Sequence, residues 1–136
     1  MRPLLLLVSI SLIVPLSSMA QRDPNTENTC YARLNHDNVR ACIKEQAASA
    51  DKELVSAEKL LAATLKQERH NAAAQHLTQA NARYRQYRKA QCAFQADAAS
   101  GKKSAPDREM LCTTALDLQR AKDLKTTTEM LRGSEK

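Results

Sequence analysis

The residues that could carry chemistry here are three histidines, four cysteines, a few serines and carboxylates, and a dense run of cations. A helical metal pair needs imidazoles at i and i+4, so that both leave one face. His70 and His76 are six apart and His36 is remote, so that pattern is not met. Beyond residue 20 the serines are Ser49, Ser56, Ser100, Ser104 and Ser134, and none sits in a G-x-S-x-G elbow. Glu45, Asp51 and Glu58 alternate with lysines. That is the pattern of solvated helix faces, not of two carboxylates sharing acid and base work. Glycine stands only at 101 and 133, too sparse for a loop that cradles phosphate. The chain is therefore expected to be a non-enzyme, without metal or cofactor.

The cysteines are Cys30, Cys42, Cys92 and Cys112, separated by 12, 50 and 20 residues. Zinc would ask for close C-x-x-C pairs or a Cys/His cluster. An even number of cysteines in an exported chain points instead to disulfides. Three pairings are possible. Closing the shortest segments favours Cys30–Cys42 with Cys92–Cys112, and the crossed pairings stay open.

Export is read from the N-terminus. Arg2 precedes an apolar run from Leu4 to Leu16, and Ser18-Met19-Ala20 forms a small-x-small cleavage site. The run is about 13 residues, short of the roughly 20 that span a bilayer. Residues 1–20 are expected to be a signal peptide and 21–35 a polar segment. Residues 36–132 would then be one helical domain, periplasmic or secreted, with no membrane span after cleavage. Gln21, not a cysteine, follows the cut, so no lipid anchor is expected. Losing Arg2 takes the formal charge from +6 to +5.

The elements follow from spacing. Val39, Ile43, Ala47, Ala50, Leu54, Ala57, Leu61 and Leu65 recur every three or four residues, the period of a helix. Asn35 or Asp37 is placed to cap it. No glycine or proline interrupts residues 37–100, but the stripe fails beyond Leu65. A new one runs through Ala73, Leu77, Ala80, Tyr84, Tyr87 and Phe94, with Ala90 or Gln91 between the last two. This slip of phase predicts a turn within residues 67–71 and two antiparallel helices. Gly101 and Pro106 mark the strongest break, with Pro106 suited to the first turn of a third helix. That helix should carry its stripe on Leu111, Ala115, Leu118, Ala121 or Lys122, Leu124 or Lys125, Thr128 and Leu131, and end at Gly133. The expected fold is all-α: a helical hairpin plus a third helix, a small three-helix bundle stapled by two disulfides.

The cations Arg83, Arg85, Arg88, Lys89, Lys102 and Lys103 face one acid, Asp97, a local net of +5. Such a run can hold nucleic acid, an anionic envelope polymer or an acidic protein. Export disfavours nucleic acid. Tyr84 and Tyr87 continue an apolar stripe, which reads as core and not as a platform for bases. Arg83, Arg85, Lys89, Lys102 and Lys103 are the cations left as a possible partner surface.

The stretch from Leu77 to Cys92 resembles the signature helix of the LprI-like proteins, small exported bacterial domains that include a lysozyme inhibitor. Leu77, Ala80, Tyr87, Arg88 and Cys92 fit its frame, while Asn81 stands where Gln is usual and Tyr84 where Trp is usual. Upstream, Cys30 and Cys42 have the family spacing, and Ala50, Asp51 and Leu54 match its Ala-Asp-x-x-Leu. Downstream, Gly101, Cys112, Arg120 and Leu124 match, and Asp117 replaces a Thr. The family's next polar pair is absent, with Val55 and Glu58 in those places. If that pair forms a binding surface in relatives, it is altered here; if it belongs to a buried polar network, this chain has something else there. The resemblance covers about residues 30–125. It implies an exported, non-catalytic helical domain with lysozyme as its partner; the cation run offers the alternative, an anionic glycan or another envelope protein.

Overall fold

A computed structural model of the chain describes residues 30–31, 36–99 and 105–133. The proposed signal peptide, most of the polar segment, Asn35, Gly101, Lys102 and Lys103 lie outside these. Three helices make up the architecture: α1 (His36–Gln67), α2 (Asn71–Ala98) and α3 (Ala105–Gly133). Among the described residues there is no strand. The helices run up, down and up, and α3 packs more closely on α1 than on α2.

The turn between α1 and α2 falls where the phase slips. Its backbone closes α1 with two bonds, His70 N–H to Leu65 C=O at 2.8 Å and Arg69 N–H to Lys66 C=O at 3.2 Å. This is the Schellman pattern. Arg69 occupies the left-handed position usually given to glycine, with φ 61°. A side chain there costs strain that glycine avoids. No glycine therefore announces this turn in the sequence.

On α1 the expected stripe is the observed one. Val39, Ile43, Ala50, Leu54, Ala57, Leu61 and Leu65 are buried, and Ala47 is partly so. The upper core joins Leu54, Ala57, Leu61 and Leu65 to Ala121 and Leu124, with Ala74, Leu77, Tyr84 and Leu131 packed against them. The lower core holds Cys30, Val39, Cys42, Ile43 and Leu111.

The other two helices differ from expectation in phase. On α2 the face turned inward is Ala74, Leu77, Asn81, Tyr84, Arg88, Cys92 and Ala96. Ala73, Ala80, Tyr87 and Phe94, expected in the core, are exposed. On α3 the buried positions are Asp107, Leu111, Cys112, Thr114, Asp117, Ala121, Leu124 and Thr128. Ala115 and Leu118, expected inside, are only half-buried. In both helices an apolar reading of the stripe passes over polar residues that the fold buries. Thr114 manages this by returning its hydroxyl to the Met110 carbonyl at 2.8 Å, and Thr128, which the expected stripe included, does the same with Leu124 at 2.9 Å.

Two disulfides, Cys30–Cys42 and Cys92–Cys112, join Cα atoms 5.6 and 5.5 Å apart. They are the pairs that close the shortest segments. Arg40 adds a tie between helices, with Nε 2.9 Å from a buried carboxylate oxygen of Asp107 near the start of α3.

Candidate functional site: a buried carboxylate and the surface around it

The chemically loaded place in the bundle is Asp117, midway along α3 and only 1% exposed. An ionised carboxylate in such a place must be paired and hydrogen-bonded. Two α2 side chains supply the donors, and they are one helical turn apart (i and i+4), so they leave one face together. Arg88 Nη1 lies 2.7 and 2.6 Å from the two carboxylate oxygens. Tyr84 Oη donates to Oδ1 at 2.8 Å. Charge-assisted bonds of this length are the stronger kind. The Arg88 guanidinium is held above its ordinary range, chiefly by its hydrogen bond to Asp117, against the opposing effect of burial.

Arg120, one turn on from Asp117, extends the cluster. Its Nη2 donates to Asn81 Oδ1 at 3.1 Å, and its guanidinium carbon lies 5.6 Å from the Tyr84 ring centre. That distance is within cation–π range. Asn81, Tyr84, Arg88 and Arg120 thus converge on the α2–α3 seam, with Leu77 and Leu124 in the core above. Asp51, on α1, is exposed and adds a longer-range attraction to Arg88.

This arrangement is a strut and not a reaction centre. The Asp117 oxygens are occupied by donors and closed to solvent, so no substrate atom reaches them. Burial raises the Tyr84 hydroxyl above its ordinary pKa, and its bond to Asp117 raises it further. A folded-state pKa above the unfolded value of about 10 sets the sign. The Tyr84 contribution is fully present below that pH and is lost as pH rises beyond it. In an alkaline absorbance titration the native protein should show a late phenolate step that Tyr84→Phe removes. A native titration unchanged by that substitution would contradict the buried donor.

Where the family's second polar residue is absent, Glu58 meets α2. Its Oε2 accepts from Arg85 Nη2 at 2.6 Å, while Oε1 is buried without a partner among the described residues. Arg85 therefore belongs to an interhelical pair, and Lys125 likewise pairs with Glu53 at 2.6 Å. Arg83 and Lys89 are exposed. Tyr87 is 55% exposed, so it contributes surface and not core. Among the described residues no group of three or more His, Cys, Asp or Glu could hold a metal, and no helix is long and apolar enough to cross a membrane.

The profile of the family described as lysozyme inhibitor LprI matches residues 24–124. The chain belongs to the LprI family. The matched span includes all four half-cystines and each member of the Asp117 cluster. No curated protein and no solved structure matches the chain. In the sequence Asp117 stands out only as a departure from the LprI frame. Its signal was present: Asp117 keeps the period of Leu111, Thr114, Ala121 and Leu124, which is the position of a core residue.

Proposed function

We propose that this is an exported, non-catalytic binding protein of the envelope that inhibits lysozyme. The observation that carries the reading is the LprI family match across residues 24–124. The structure is compatible with it, because the polar cluster serves to hold α2 on α3 and leaves the outer faces for a partner. Two disulfides fit an oxidising compartment, and residues 1–20 supply the proposed export signal. The chain carries +6, and +5 from residue 21. Lysozymes of the animal type are basic as well. Long-range forces then slow the encounter, and affinity must come from local contacts.

The test is cell-wall lysis by several lysozyme types, with the disulfide-intact protein in micromolar excess. Slowed lysis by at least one type is expected. Association with a basic lysozyme should speed up as salt is added, because screening removes repulsion at separations beyond about 10 Å at 0.1 M. Unaltered lysis for every lysozyme would overturn the reading. The exposed Arg83 and Lys89 favour a second one, a basic envelope protein binding an anionic glycan. It predicts the opposite salt response, with binding weakened by salt and by charge reversal at Lys89.

A further inference from the structure

The chain has a single phenylalanine, and the fold leaves it in solvent: Phe94 is 66% exposed. Tyr87, seven residues earlier on the same helix, is 55% exposed, and Ala80, seven before that, is exposed too. A spacing of seven keeps residues on one face of a helix. Half of the chain's four aromatic residues thus stand on one outward face of α2, in a protein with a thin core. Single exposed apolar residues are ordinary, whereas apolar residues repeating along one outward helix face are the pattern of a helix that packs on a partner.

The charges around that face indicate its partner. Ala90 lies between the two rings, three residues after Tyr87 and four before Phe94. Arg83 lies seven residues before Ala90 and Asp97 seven after it. Neither charge has a salt-bridge partner among the described residues. We propose that α2 pairs antiparallel with α2 of a second copy of this chain, on a two-fold axis passing near Ala90. That operation sets Tyr87 beside Phe94 of the second copy and Arg83 opposite its Asp97, and repeats both contacts by symmetry. This is the self-complementarity an isologous interface requires. The small side chain of Ala90 lets the helices approach at the axis, within the 8–10 Å usual for packed helices. An acidic protein or an anionic glycan would answer Arg83 but be repelled by Asp97; a second copy satisfies both. The proposal stands apart from the lysozyme reading, since a dimer could form whether or not lysozyme is bound.

Sedimentation velocity of the disulfide-intact protein, from low micromolar to near-millimolar concentration, tests it. A concentration-dependent monomer–dimer equilibrium is expected, and Phe94→Lys should abolish it. Phe94 is exposed, so the variant should keep the parent's circular dichroism and melting temperature, which excludes misfolding as the cause. Arg83→Glu and Asp97→Arg should each weaken the dimer about tenfold, because each removes two symmetry-related pairs. The double reversal should restore it to within about threefold of the parent, since the charges again match. A protein monomeric throughout would overturn the proposal. So would a double reversal no better than either single one, or a monomer that takes up an acidic protein or an anionic glycan on this face.

Discussion

Reduction of both disulfides should lower the melting temperature by roughly 25 °C or more, or unfold the protein near body temperature. Cys30–Cys42 and Cys92–Cys112 close segments of 12 and 20 residues. In the chain-entropy model each such closure contributes about 3 kcal/mol. Together, at about 6 kcal/mol, they match the lower end of the roughly 5–15 kcal/mol by which a domain is stable. The packing makes the loss heavier. Cys30 and Cys42 are themselves part of the lower core with Val39, Ile43 and Leu111, so parting their sulfurs loosens that end of the bundle. Cys92–Cys112 binds α2 to α3 across the connection that contains Gly101. Circular dichroism melts with and without reductant check this, with thiol titration alongside. No thiol should react in the native protein and four should react after reduction. An unchanged melt, or native thiols that react freely, would refute the staple model.

Asp117→Ala is expected to cost about 3 kcal/mol, the lower end of the range for breaking a buried ion pair. Arg88 is 22% exposed at its side chain, so water recovers part of its charge, and the upper end does not apply. Tyr84 loses its acceptor at the same time. The melting temperature should fall by roughly 12–24 °C. A second variant separates charge from packing. Asp117→Leu combined with Arg88→Met and Tyr84→Phe removes donors and acceptor together, and should recover most of the loss, since apolar replacement of a whole buried pair is often neutral. A loss below about 1 kcal/mol for Asp117→Ala would show that the pair behaves like a surface salt bridge. Urea titration at fixed pH measures both variants.

The α1 stripe from Val39 to Leu65 was legible because its inward residues are apolar, so hydrophobic period and burial coincide. The turn at residues 67–71 was legible only as a slip of phase, because Arg69 holds the position where glycine would have announced it. On α2 and α3 the same method picks Ala80, Tyr87, Phe94, Ala115 and Leu118, and each of these is exposed or half-buried. The physical reason is specific. The inward faces of these helices hold Asn81, Arg88, Thr114 and Asp117, and periodicity scores polar residues as solvent-facing. Thr114 is satisfied within its own helix, but Asn81, Arg88 and Asp117 are tolerated inside only by pairing across the seam, and pairing is a property of two helices at once.

The sequence by itself determined the helical class, the turn, the break at Gly101, the four half-cystines and the family frame. These depend on local propensity, on spacing along one chain and on residue identity. Tertiary structure decided that Asp117 is the centre of a buried cluster. It also decided that Arg88 and Arg85 are consumed by Asp117 and Glu58, while Tyr87 and Phe94 face outward. Which cation meets which carboxylate depends on how α2 is rotated against α1 and α3. That rotation is set by the sum of all contacts along the seams, and no single stretch of sequence contains it.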